Sequence, residues 1–264
     1  MIRGLKIIHN ARIIHKDYHS GNIFIYNSVI TATGDFGLSK SAMNDDDNDI
    51  YGIIPYVPPE VLQGKKYTEA SDIYSFGMIM WELMTGRRPF WDKNHDTDLI
   101  IEICDGLRPL IVTSAPEGYI ELMKQCWHSD PNERPTATGL EERFSNIYYK
   151  EQSCFNKKNP TEIIKSPDIG PITTNNPGAI YKSRPLSVMI KSAESTRNLK
   201  IQNKRKFEDN SSGNNFKDGN NVKKIKLNKN NDYWTKELGF DIDDNIKSSK
   251  PNNNNYISKE IGFD

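Results

Sequence analysis

Apolar positions are densest between Ile73 and Met84, where they fall on nearly every side of a helical wheel. That pattern predicts a helix buried at the centre of a domain. Thr68 or Ser71 is placed to cap its start, and Gly86 followed by Pro89 marks its end. Ahead of it, Ile23-Phe24-Ile25 and a second short run near Val29-Ile30 flank a turn around Asn27, the outline of a two-stranded hairpin. Downstream, Leu99-Ile100-Ile101 with Ile103 predicts a short amphipathic helix. Tyr119-Ile120, Leu122-Met123 and Cys126-Trp127 recur at helical spacing and predict another. Thr138 with Glu141 has the spacing of a capping box for a last helix that ends near Tyr149-Lys150. The expected fold is mainly α with a small β-hairpin, spanning residues 1–150.

Past Lys150 the periodicity fades and Asn, Ser, Lys, Pro and Gly dominate, so 151–264 is read as a disordered tail. Within it, 233–241 (YWTKELGFD) is echoed by 256–264 (YISKEIGFD). A duplicated aromatic segment suggests a docking motif for a protein partner, used twice for avidity; repetition without function is the alternative. Lys204-Arg205-Lys206 and Lys223-Lys224-Ile225-Lys226 read either as solvated charge or as a split nuclear-import signal.

Composition narrows the classes. The 264 residues carry 35 basic and 35 acidic side chains, so bulk charge favours neither a specific nucleic acid nor an anionic membrane as partner. With 36% hydrophobic residues the chain has too little apolar material to be packed throughout, which agrees with an unfolded tail. Three cysteines without metal-ligand spacing suit a reducing compartment. No apolar run reaches membrane-spanning length and no signal-peptide pattern opens the chain. The expected location is inside the cell, in the cytoplasm, with the nucleus as the alternative.

The candidate chemistry lies in His15-Lys16-Asp17-Tyr18-His19-Ser20-Gly21-Asn22, together with Asp35-Phe36-Gly37. A tight hairpin between the two segments would bring Asp17, Asn22 and Asp35 into one small volume. Two carboxylates and a carboxamide are hard oxygen ligands of the kind Mg²⁺ accepts beside phosphates. Phosphoryl transfer needs such a set: one group to orient an attacking hydroxyl, others to hold charge-neutralising metal.

His15 to Asn22 resembles the catalytic loop of eukaryotic protein kinases, and Asp35-Phe36-Gly37 their D-F-G. Pro58-Pro59-Glu60 stands where kinases carry A-P-E, and Ser71-Asp72-Ile73-Tyr74-Ser75-Phe76-Gly77 is similar to the start of their buried central helix. Cys126-Trp127 through Arg134-Pro135 resembles the C-W-x-x-D-P-x-x-R-P segment of tyrosine kinases and tyrosine-kinase-like Ser/Thr kinases. The resemblance implies a kinase-like C-terminal lobe. It implies Asp17 as the group that accepts or orients the substrate hydroxyl proton, and Asn22 and Asp35 as Mg²⁺ ligands. It further implies Phe24 beneath the adenine of ATP, Phe36 packed on His15, and His15 as a packing residue rather than a base. Asp72 would bond the catalytic-loop backbone, and Glu60 would pair with Arg134. Ser39 to Asp49 would be the activation segment, with Ser39, Ser41 and Tyr51 as phosphorylation candidates and Asp45-Asp46-Asp47 as a solvated run or a stand-in for phosphate facing Lys16.

The pattern also departs from the family. Lys16 replaces an arginine and loses bidentate geometry toward phosphate. His19 stands where Ser/Thr kinases commonly carry the lysine that touches the transferring phosphate, and Ile53 stands where its usual threonine partner would be. Lys16 and His19 are nonetheless counted with Asp17 among the catalytic candidates. Pro58 replaces the alanine of A-P-E.

Gly4-Leu5-Lys6-Ile7-Ile8-His9 resembles the end of the kinase helix before the catalytic loop, so the chain is expected to start mid-helix. No glycine-rich phosphate loop, strand lysine or adenine-binding hinge precedes it. Three readings follow. One is a protein kinase moving the γ-phosphoryl of MgATP to Ser/Thr of protein substrates. Another is a non-catalytic binding protein with a docking tail. The third is a chain whose upstream exon supplies the other lobe. The isolated chain is expected to bind MgATP negligibly and to expose an apolar surface around Ile2, Leu5 and Phe24.

Overall fold

The computed structural model describes residues 1–26, 30–41, 49–111, 115–157, 161 and 176–211; for Ile30, Lys40, Ser41 and 200–211 only the backbone course is described. Among these residues the chain is mainly helical, with three short antiparallel strand pairs. Helix α1 (Ile2–Asn10) leads into β1 (Ile13–Ile14) and the loop that carries Asp17. Strands β2 (Ile23–Tyr26) and β3 (Ile30–Thr33) form the expected hairpin, in the register Ile23↔Thr33 to Tyr26↔Ile30. Strand β4 (Lys40–Ser41) returns to pair with β1. Then come β5 (Tyr51–Gly52) and a short helix α2 (Pro59–Leu62).

The central helix α3 (Glu69–Thr85) is buried from Ser71 to Trp81. Thr68 and Ser71 cap it reciprocally, each side chain bonding the other's backbone N–H, which meets two donors the first turn leaves open. Gly86 ends it at φ 69°, a left-handed position that glycine adopts without a Cβ clash. Around α3 pack α1, α5 (Tyr119–Cys126) and α6 (Ala137–Asn156), joined in a core that includes Leu5, Tyr18, Tyr74, Trp81, Met123, Trp127 and Leu140. A second core lies under α4 (Thr97–Cys104), where Ile54, Val57, Val61 and Phe90 meet Leu99, Ile100 and Ile103.

Several boundaries differ from expectation. Helix α6 is capped by Thr136, whose hydroxyl accepts from Gly139 N–H at 3.2 Å, and not by Thr138; it runs six residues past Lys150. Leu5 is buried rather than part of an exposed apolar face, because α1 turns it against α3 and α6; Ile2 is half-buried and Phe24 is 55% exposed.

The larger correction concerns the region after 150. Residues 176–199 within it are packed against the body of the chain. Strand β6 (Arg184–Pro185) pairs with β5, and α7 (Ser187–Ser211) lies along α4. Leu186, Ile190 and Ala193 enter the second core. Their spacing is one face of a helix, a three-residue stripe that the surrounding polar composition conceals. The acidic run 45–47, the basic cluster 223–226 and both nine-residue repeats lie outside the described residues.

The candidate catalytic loop and its supports

The loop is held from beneath by one carboxylate. Asp72, on the first turns of α3, accepts from His15 N–H (Oδ2, 2.9 Å) and Lys16 N–H (Oδ1, 3.0 Å), and its Oδ2 also meets His9 Nε2 at 2.9 Å. Lys16 has φ 71°, unfavourable for a residue with a side chain, and the two N–H bonds to Asp72 hold the backbone there. His15 is fully buried, its Nε2 within 3.0 Å of the Gly34 carbonyl and its ring against Phe36 at 5.2 Å between centroids. It packs, as the sequence reading expects.

Asp17 is buried next to Asn22, whose amide nitrogen donates to the Asp17 carbonyl at 2.9 Å. That bond closes the loop on itself. His19 Nδ1 accepts from Gly21 N–H at 3.1 Å, which assigns the ring proton to Nε2; that nitrogen lies 3.6 Å from Asp17 Oδ2. The ring therefore stands beside the candidate base and presents a donor to it.

Asp35 is tied to this loop through its neighbour. Gly34 N–H donates to the Asn22 carbonyl at 3.0 Å while the Gly34 carbonyl faces His15, so the strand end that carries Asp35 is fixed against the loop that carries Asp17. Asp35 itself sits at φ 57°, exposed, with Oδ1 accepting from Gly37 N–H at 3.3 Å. Gly34 is in close contact with Phe24: a Cβ there would lie 2.6 Å from the ring. Phe24 thus lies over Gly34, the residue before Asp35, and is open to solvent. Lys16 extends from the same loop.

The donor set suits a divalent cation. The bond from its nitrogen to Asp17 fixes which way the Asn22 carboxamide faces and leaves its oxygen as the candidate ligand, and Asp35 keeps a carboxylate oxygen clear of Gly37. Among the described residues no group of three or more His, Cys, Asp or Glu side chains is placed to hold a metal. Asn22 and Asp35 would be a partial set of the kind Mg²⁺ uses, completed by water and phosphate oxygens.

Three further supports frame the site. Glu60 pairs with Arg134 through two bonds of 2.7 Å each. Ser75 Oγ donates to the Tyr56 carbonyl at 2.7 Å, tying the turn after β5 to α3. Tyr56 O–H donates to Glu82 Oε1 at 2.6 Å, and burial pushes the Glu82 carboxyl up from the usual carboxylate range. Of the phosphorylation candidates, Tyr51 lies at the surface on β5 and Ser39 Oγ reaches the His15 carbonyl at 3.4 Å. Sequence reasoning did not single out Gly52, Glu82 or His95, and it missed 181–190; the Leu186, Ile190 and Ala193 stripe was the available signal.

A family model described as protein tyrosine and serine/threonine kinase matches residues 1–144. A candidate serine/threonine-protein kinase/receptor of Acanthamoeba polyphaga mimivirus is 36% identical over 135 residues, which is 50% of this chain and 8% of that protein. A candidate serine/threonine-protein kinase of Dictyostelium discoideum is 36% identical over 146 residues, 54% of this chain and 9% of that protein. Ephrin type-A receptor 7 of Gallus gallus is 35% identical over 139 residues, 50% of this chain and 14% of the receptor. The chain thus spans a small part of the length of these relatives.

Proposed function

The chain belongs to the protein tyrosine and serine/threonine kinase family, and from that premise we propose that it supplies the catalytic-loop lobe of a phosphotransferase that moves the γ-phosphoryl of MgATP to Ser or Thr hydroxyls of protein substrates. The observation that carries this reading is the closure of one loop around Asp17: Asn22 bonds its carbonyl, Asp72 bonds the two preceding N–H groups, and Gly34 ties the Asp35 strand to Asn22. Asp17 would orient the acceptor hydroxyl and take its proton, with the His19 ring beside the carboxylate at 3.6 Å. Asn22 and Asp35 would hold Mg²⁺, which when bound neutralises charge on the transferring phosphate. Phe24 would lie beneath the adenine. Serine and threonine are favoured over tyrosine as acceptors by the names of two of the relatives above, while the ephrin receptor, at similar identity, keeps tyrosine as the alternative.

Nucleotide would be held between this lobe and a second one bearing a glycine-rich loop, since 1–264 contains no G-x-G-x-x-G. Calorimetric titration of 1–264 with MgATP is expected to give no measurable heat of binding. Fused behind a glycine-rich lobe from a relative, the chain is expected to phosphorylate a Ser/Thr peptide library, and Asp17→Asn to abolish turnover while nucleotide still binds. Retained turnover in that variant would sink the assignment of Asp17.

A further inference from the structure

Strand β6 does more than extend a sheet. Arg184 pairs with Gly52 and Pro185 with Tyr51; beyond them Leu186 N–H donates to the Ile50 carbonyl at 2.7 Å, and Ile50 N–H donates to Ser187 Oγ at 3.1 Å. Gly52 stands close to Asp17: a Cβ at Gly52 would lie 4.0 Å from Asp17 Oδ1. Ser183, one residue before the Gly52 partner, has a hydroxyl that is buried with no hydrogen-bond partner among the described residues.

Both flanks of the segment are anchored. On one side Leu186 (0% exposed), Ile190 (5%) and Ala193 (4%) fill the cleft formed by Ile54, Val57, Phe90 and Leu99. On the other, Tyr181 O–H donates to the Pro89 carbonyl at 2.9 Å with the Arg88 guanidinium 4.9 Å from its ring, and the Ile180 carbonyl meets His95 Nδ1 at 2.9 Å. The link between strands is only two residues long, and Pro185 has no N–H to add to it. Main-chain pairing plus side-chain pockets is how extended peptides add to an exposed strand edge.

We propose that 181–190 is a built-in occupant of a peptide-acceptor groove: it fills in cis the edge of β5, whose Gly52 faces Asp17, and the apolar cleft beside it, and keeps other extended peptides out. Naming the groove an acceptor site rests on the phosphotransferase reading; its capacity to bind peptide does not. The occupant defines the ligand it excludes, an extended peptide with a hydroxyl residue, a cation one position later and a leucine-sized side chain three positions later. A weak segment can hold the groove because it belongs to the same chain, so its docking is intramolecular.

The test uses the full chain, a full-chain Leu186→Glu/Ile190→Glu variant whose folding is checked by circular dichroism, and a fluorescein-labelled synthetic peptide of residues 179–193. The variant is expected to bind the peptide saturably, and the unaltered chain at least about tenfold more weakly, because its own segment competes. Equal binding by both, or none by a folded variant, would overturn the proposal. Should the variant fail to fold, amide exchange in the unaltered chain decides: the Leu186 N–H is expected to exchange through a local opening, well before the α3 amides. Exchange of Leu186 only with global unfolding would mean a structural strap and no displaceable occupant. None of these readouts involves phosphoryl transfer, so a chain that binds the peptide but never phosphorylates keeps the groove and loses the enzyme reading.

Discussion

Arg134 and Glu60, 74 residues apart, meet through two parallel hydrogen bonds, Nη1 to Oε1 and Nη2 to Oε2, each 2.7 Å long. Both side chains are almost completely buried, and Arg134 also donates to the carbonyls of His128 (2.8 Å) and Ala70 (2.9 Å). The pair therefore ties α2 to the start of α3 and to the loop before α6. Arg134→Met leaves the Glu60 carboxylate buried without its cation and is expected to lower the unfolding free energy by about 3–5 kcal/mol. Glu60→Leu combined with Arg134→Met removes both charges and is expected to lose clearly less than the single change. Urea denaturation of the three chains checks this; a double variant at least as unstable as Arg134→Met would show that the pair is not the source of the loss.

Asp72 is a positioning residue rather than a participant in chemistry. Its two oxygens accept from consecutive N–H groups, which an asparagine cannot reproduce because one oxygen becomes a donor. Asp72→Asn is expected to leave one of the His15 and Lys16 amides buried and unpaired, at about 1–3 kcal/mol. The same variant should speed amide exchange at His15 and Lys16 relative to the amides of α3. Uniform change across the molecule would indicate general destabilisation and would count against a local clamp.

Much of this arrangement is legible in the chain itself. Asp72 beneath the loop, Phe36 on His15 and Glu60 with Arg134 are all implied by the resemblance of short segments to a known family. The central helix is legible because its apolar positions run over many turns. What was hidden is hidden for a physical reason: Leu186, Ile190 and Ala193 form one helical stripe in a region where composition averages to polar. A short segment docked onto an existing body needs only a few apolar anchors, since it does not build a core of its own. The Thr136 cap was missed because two threonines two residues apart both offer a hydroxyl, and only the backbone direction entering α6 decides between them.

His95 links the stability of the docked segment to pH. Its Nδ1 lies 2.9 Å from the Ile180 carbonyl and its Nε2 3.0 Å from the Phe90 carbonyl, and burial holds its pKa below the ordinary 6.5 despite those two acceptors. Between the depressed folded value and 6.5 the unfolded chain binds the extra proton, so unfolding becomes easier as the pH falls through that window. The Arg184 side chain opposes the charged ring and Asp96 favours it, with burial the larger effect. Urea midpoints at pH about 7.5 and about 5.5 are expected to fall toward acid in the unaltered chain, and the fall to be smaller in His95→Gln. Taking the difference between the two chains removes the contribution of other groups that titrate nearby, Glu82 among them. An identical acid slope in both chains would exclude His95 as its source.

The approach of α3 to α5 turns on Gly77. A Cβ placed there would lie 2.8 Å from Cys126 Cβ and 3.2 Å from Trp127 N, atoms that cannot rotate out of the way. Alanine would gain about 1 kcal/mol in helix propensity over glycine, yet it forces two buried helices apart, which typically costs about 1–3 kcal/mol. Gly77→Ala is therefore expected to lower the thermal midpoint despite the better helix former. Adding Cys126→Ala should not restore it, because the clash is with the Cβ that both residues keep. Asp72 sits on the same helix five positions earlier, so a displaced α3 also moves the clamp under His15 and Lys16. Their amides should exchange faster in Gly77→Ala, and a thermal midpoint at or above the original would mean that the two helices are not in contact at this crossing.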